Sequence, residues 1–141
     1  MGIDTGGPGT TNPYRLIKGT RVDDFLLGGS GQDHIIGYSG NDRLYGQEGD
    51  DVLDPGLGVD IVSGGAGNDT VTYANAEGAV SVFLDQGYGA RSGLDDADKD
   101  SLFSIENVIG SAYDDHLIGN GEANNLRGGG GGDVLFGNGG N

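Results

Sequence analysis

From Gly19 to Thr72 the chain divides without remainder into six nine-residue words: GTRVDDFLL, GGSGQDHII, GYSGNDRLY, GQEGDDVLD, PGLGVDIVS and GGAGNDTVT. The sixth position is Asp in every word (Asp24, Asp33, Asp42, Asp51, Asp60, Asp69), and the eighth is always aliphatic (Leu26, Ile35, Leu44, Leu53, Val62, Val71). The first and fourth positions are mostly Gly, with departures at Pro55 and Val22. A fixed period with a fixed apolar slot marks a solenoid, in which each unit buries its face only against its neighbours.

Each slot has its own chemistry. Glycines at the first, second and fourth positions let the backbone take positive φ and bring its carbonyls toward a common point. The Asp adds a hard anionic oxygen. A three-residue strand follows, its middle side chain pointing inward and its flanking side chains outward. One turn and one strand reverse the chain, so two words complete a coil and successive coils lie ~4.8 Å apart. That stacks Asp24, Asp42 and Asp60 along one edge and Asp33, Asp51 and Asp69 along the other. Carboxylates so close repel strongly unless cations lie between them.

Composition points the same way. The 141 residues include 32 glycines, are 34% hydrophobic and carry a formal charge of -15, so chain entropy and self-repulsion both oppose an ordinary core. Without a cation, disorder is expected. The absence of cysteine removes disulfides and thiolate metal sites. The acidic balance argues against nucleic acid or an anionic membrane as partner. No stretch approaches the ~20 apolar residues of a membrane span. Met1-Gly2-Ile3-Asp4 has neither the basic start nor the apolar run of a signal peptide. A monomer is expected.

Four segments follow. Residues 1–18 form an N-terminal capping segment, in which Thr10 to Lys18 is a degenerate word with Ile17 in the apolar slot. Residues 19–72 are the first run. Residues 73–109 are an interruption: Ala79 to Leu84 and Leu102 to Ile109 read as strands, and Asp85 to Asp100 as an acidic surface loop. Ser101 to Ile109 fits the grid with Glu106 in the Asp slot. Residues 110–141 are a second run, GSAYDDHLI, GNGEANNLR and GGGGGDVLF, whose next word stops one residue short of its Asp, as expected of a piece of a longer protein.

GGSGQDHII, GGAGNDTVT and GGGGGDVLF match at every defined position the RTX (repeats-in-toxin, hemolysin-type) nonapeptide GGxGxDxUx, with U a large apolar residue, and the chain therefore resembles that family. The resemblance implies an all-β, right-handed parallel β-roll, a calcium-stabilised β-solenoid with several Ca²⁺ ions, about five, held between successive turns. It implies ligation by Asp24, Asp33, Asp42, Asp51, Asp60, Asp69, Asp115 and Asp133, with turn carbonyls of Gly29, Gly31, Gly40, Gly49, Gly56, Gly58, Gly65 and Gly67 among the donors. The expected pairs are Asp24 with Asp42, Asp42 with Asp60, Asp33 with Asp51, Asp51 with Asp69, and Asp115 with Asp133. All-oxygen ligation suits Ca²⁺ and disfavours softer metals. Thr20 and Val22 lack the turn glycines, so the first site is expected to be the loosest of its row, and Asn124 with Glu122 makes a poor calcium loop. Asp23 and Asp114, at the fifth position, are assigned surface or edge roles.

The resemblance also implies export to the extracellular space of a bacterium by a type I system, with folding in external calcium, as a structural part of a larger protein. Five divalent ions would bring the formal charge from -15 to about -5. The alternative is a calcium-dependent module for polysaccharides or surfaces, like those attached to adhesins and alginate epimerases. The outward residues Phe25, Leu27, Arg43, Tyr45, Ile61 and Ser63 could contact a sugar or another domain, or simply pair across strands. An enzyme is not expected: the chain has no His-Glu-x-x-His, no Gly-x-Ser-x-Gly and no triad among its two histidines, and His34 and His116 both fall on the outward seventh position. The loop Leu94 to Asp100 lacks the central Gly and final Glu of a helix-loop-helix calcium loop and reads as solvated.

Overall fold

A computed structural model describes residues 2–3, 14–91 and 98–139. Position eight of each word builds it. Leu26, Ile35, Leu44, Leu53, Val62 and Val71 are at most 1% exposed and form one continuous core with Ile17, Val80, Val82, Val108 and Leu117. Each contributes one aliphatic side chain per strand, and stacking the coils removes all of them from water.

The strands on either side of this core make two sheets. The first is ordered β1 (Gly2–Ile3), β2 (Tyr14–Lys18), β4 (Gln32–Ile36), β6 (Val52–Asp54), β8 (Thr70–Thr72), β12 (Asn107–Ile109), β14 (Asn125–Arg127). The second is ordered β3 (Phe25–Ser30), β5 (Arg43–Glu48), β7 (Ile61–Ala66), β11 (Lys99–Phe103), β10 (Tyr88–Arg91), β9 (Val80–Phe83), β13 (His116–Ile118), β15 (Val134–Phe136). Phe25 pairs with Arg43, Arg43 with Ile61, His34 with Val52 and Val52 with Thr70, all in parallel register. The offset is two words, so the eighteen-residue coil is realised. In the N-terminal segment β2 pairs in parallel with β4, placing Ile17 beside Ile35 and Arg15 beside Asp33.

The interruption differs from its reading as a loop between two strands. After β8 the chain enters the second sheet two strand positions ahead. It forms β9, returns antiparallel as β10 and turns again into β11, which lies parallel to β7. Tyr88–Arg91 and Lys99–Asp100, read as part of a surface loop, are thus paired strand residues. Gly89 lets the β10 backbone approach the Tyr73 hydroxyl, and the Lys99 ammonium sits 4.2 Å from the Tyr88 ring. The stretch from Leu102 to Ile109 is two strands, divided at Ser104, which takes φ +51°. Residues 92–97, most of the acidic loop, lie outside the described residues.

Between β7 and β13 the second sheet holds three strands, whereas between β8 and β14 the first holds only β12. The layers are out of step by two strands, about 10 Å at the usual spacing. A cavity of about 470 Å³ lies along this mismatch, lined by Leu84, Leu102, Ser104, Glu106 and Asn120 among others.

Candidate metal sites

The turn places each sixth-position Asp so that its carboxylate faces both its own coil and the preceding one. One carboxylate oxygen accepts the backbone N–H of the equivalent Asp one coil earlier. Asp24 donates to Asp42 Oδ1 at 2.8 Å, Asp42 to Asp60 at 2.7 Å, Asp33 to Asp51 at 2.8 Å, Asp51 to Asp69 at 2.9 Å, and Asp115 to Asp133 at 2.9 Å. The rows expected from the period therefore exist as two hydrogen-bonded ladders.

The second oxygen carries the chemistry. Oδ2 of Asp33, Asp42, Asp51, Asp60 and Asp69 is buried with no hydrogen-bond donor, on residues at most 2% exposed. It faces another acceptor. A methyl group built on Gly37 would lie 2.5 Å from Asp42 Oδ2 and 2.5 Å from the Pro55 carbonyl oxygen of the next coil. The same convergence recurs at Gly28, between Asp33 Oδ2 and the Gly46 carbonyl, and at Gly46, between Asp51 Oδ2 and the Gly64 carbonyl. Only glycine leaves room for it. A buried carboxylate facing a carbonyl, with no proton between them, costs several kcal/mol unless a cation supplies the missing charge.

The titration behaviour agrees. Burial raises the carboxyls of Asp42, Asp51 and Asp69 from the ordinary 3.8 to about 6, with neighbouring carboxylates adding to the rise. Asp60 and Asp100 are raised further, to about 7 and about 8, by burial first; the charges of Asp42 and Asp98 add to the rise at Asp60, and that of Asp60 to the rise at Asp100. Asp33 is raised by burial against the opposing charge of Arg15.

In the first run the second position decides which words present a buried orphan oxygen. In words two to six this residue is left-handed: Gly29 (φ +153°), Tyr38 (φ +76°), Gln47 (φ +85°), Gly56 (φ +88°) and Gly65 (φ +104°). These are the words of Asp33, Asp42, Asp51, Asp60 and Asp69, and their fourth-position glycines Gly31, Gly40, Gly49, Gly58 and Gly67 also have positive φ. Where the second residue is Thr20, Ser111 or Asn120, its N–H turns in and satisfies the same word's side chain instead. Thr20 N and Oγ1 donate to Asp24 Oδ2 at 2.5 and 2.8 Å, Ser111 N to Asp115 Oδ2 at 2.5 Å, and Asn120 N to Asn124 Oδ1 at 2.8 Å. Asp24 and Asp115 are therefore placed in their rows but internally capped, a distinction the repeat pattern does not display.

Other protein groups occupy further steps. Arg15 is the sixth residue of the degenerate first word, and its guanidinium donates to Asp33 Oδ1 at 3.0 Å and to the Gly28 carbonyl. It is a cation supplied by the chain. In the second run the Asn124 amide donates to the Glu106 carbonyl at 2.9 Å, a hydrogen bond that a carboxylate could not make. On the other edge Asp100 continues the row: its Oδ1 accepts from Asp60 N at 2.9 Å and its Oδ2 from the Tyr73 hydroxyl at 2.8 Å. The exposed fifth-position residues add a second ladder, with Asp23 accepting from Asn41 N and Asp114 from Gly132 N, both at 2.8 Å. His116 lies in an outward aromatic stack between Phe83 and Phe136, at 5.4 and 6.3 Å.

Among the described residues no three His, Cys, Asp or Glu side chains meet at one point. Each step instead offers carboxylate with backbone carbonyl, an all-oxygen set that fits Ca²⁺. Fold and turns define a calcium-binding β-solenoid. The chain matches the family described as RTX calcium-binding nonapeptide repeat (4 copies) over residues 18–53, 37–71 and 109–141, more than half its length, and it belongs to that family. A search of curated proteins found no match. No helix among the described residues is long and apolar enough to cross a membrane.

Proposed function

We propose that this chain is a folding module switched by extracellular calcium, a structural part of a larger secreted bacterial protein and not itself an enzyme. The observation that carries this reading is the set of buried, donorless oxygens on Asp33, Asp42, Asp51, Asp60 and Asp69. In the first run, calcium would be held by Asp42 with Asp60, Asp33 with Asp51, and Asp51 with Asp69, together with first-position carbonyls such as those of Gly46, Pro55 and Gly64. The ion supplies positive charge between coils. The chain's own residues do the remaining work: position two turns the backbone, position six aims the carboxylate, and position eight stacks once repulsion is relieved.

Binding and folding are then a single event. Extracellular modules of this kind bind calcium around 10⁻⁴ to 10⁻³ M, so the chain would stay loose where calcium is scarce and fold where it is abundant. The outward aromatics Phe25 and Tyr45 stack on each other at 5.5 Å, which is a cross-strand pairing. Far-ultraviolet circular dichroism during a calcium titration tests the proposal. The β signal is expected to rise cooperatively between about 0.1 and 1 mM, and a full β signal in metal-free buffer at pH 8 would overturn it.

A further inference from the structure

The family match stops at residue 71 and resumes at 109, yet one of the orphan oxygens looks into that gap. Asp69 is fully buried. Its equivalent one coil on is Glu106, because β12 pairs with β8 through Asn107 and Thr70. The Asp69 N–H donates to Glu106 Oε2 at 2.8 Å, as each earlier Asp donates to the next Asp. The Asp69 carbonyl in turn accepts from Glu106 N at 3.1 Å and Asn107 N at 2.9 Å. Asp69 Oδ2, with no donor, converges with the Ser104 carbonyl oxygen on the point where Gly64 would carry a Cβ. That is the same opposition of acceptors seen at Gly28, Gly37 and Gly46.

We propose that Asp69, Glu106 and the Ser104 carbonyl hold a further calcium-class divalent cation, carrying the column out of the repeat and into the interruption. This rests on the calcium reading of the repeat run and adds an ion to it. Phe103 pairs with Ser63 and Asn107 with Thr70, so the turn between β11 and β12 is three residues shorter than the turn it stacks on. A shorter turn holds its acid further back. The extra methylene of Glu restores the reach that Asp has in a full word. Left-handed Ser104 (φ +51°) supplies the reversal that second-position residues supply elsewhere. The missing turn residues leave fewer carbonyls. The cavity lined by Ser104 and Glu106 admits water to complete a shell of six to eight oxygens. The ion ties β12 to β8 and fastens the interruption to the first run.

Native mass spectrometry of the full chain at saturating calcium tests this, comparing wild type with Glu106→Gln, which keeps an acceptor for Asp69 N but loses the charge. The variant is expected to carry one calcium fewer per chain while its circular dichroism in calcium stays folded. Equal ion counts would overturn the proposal. A wild type that binds no calcium at all would instead overturn the reading beneath it, and this proposal with it. Should Glu106→Gln not fold, wild-type crystals grown in calcium decide the matter. An anomalous peak between Asp69 Oδ2 and the Ser104 carbonyl supports the site. Its absence beside peaks at Asp42 and Asp51 contradicts it.

Discussion

At Gly37 a single methyl group would collide with two oxygens that belong to different coils, at 2.5 Å each. First-position glycine is thus demanded by close approach alone, whereas the fourth-position glycines Gly40, Gly49, Gly58 and Gly67 combine a left-handed backbone with a carbonyl that a Cβ would strike. The close approach at Gly37 is testable by mutation. Gly37→Ala is expected to destabilise the calcium-loaded chain by about 1–3 kcal/mol, the usual range for overpacking. Gly78→Ala, at a position with nothing within 4 Å, should stay within about 0.5 kcal/mol of wild type. Thermal melts in calcium compare them, and equal shifts would remove close approach as the reason for the glycine. Tyr38 and Gln47 make the complementary point: both hold positive φ without being glycine, and both sit in words whose Asp keeps an orphan oxygen. Backbone hand at the second position, more than residue type, separates metal-ready words from self-capped ones.

Among the elements, β2 shows how a column can end without a metal. Arg15 meets Asp33 and the Gly28 carbonyl where later steps have only acceptors. Arg15→Gln removes the charge-assisted bonds and is expected to cost about 1.5–3 kcal/mol. It should also make stability depend more steeply on calcium, because the Asp33 step then lacks its resident cation. Chemical denaturation at two calcium concentrations measures both effects, and an unchanged calcium dependence would show that Arg15 is only a surface ion pair. The elements also differ in how legible they were. Strands β3 to β8 followed directly from the nine-residue period, since position eight fixes the inward face and the two-word offset fixes the register. β10 was hidden: Tyr88-Gly89-Ala90-Arg91 has little apolar alternation, and its pairing is antiparallel to two strands that flank it. Asp100 was hidden for a related reason. Its partner Asp60 is forty residues away, because a meander of unpatterned length intervenes. Glu106 was visible in the Asp slot, but its contact with Asp69 depends on a turn shortened by three residues, which no periodic reading contains.

For the molecule as a whole, the acidic columns set two dependences, on pH and on calcium. Burial raises Asp42, Asp51 and Asp69 from 3.8 to about 6, so the metal-free folded chain binds more protons than the unfolded one. The stability they contribute is therefore fully present below about pH 4 and lost as pH rises through about 6. In metal-free buffer the β signal at pH 5.5 is expected to exceed that at pH 8. A signal that falls on acidification would contradict the burial of these carboxylates. Calcium reverses the preference, since it displaces the same protons, and its apparent affinity should rise with pH over the same interval.

The central claim is that at pH 8, with their carboxylates ionised, these columns cannot close without a metal cation. Small-angle X-ray scattering on the 141-residue chain measures this most directly, because compaction is read without reference to strand content. At pH 8 without metal the radius of gyration is expected to approach about 39 Å, the unfolded value for this length, and in millimolar calcium to fall toward about 14 Å, with a modest excess for an elongated roll. A compact chain at pH 8 in the absence of any divalent cation would contradict the account.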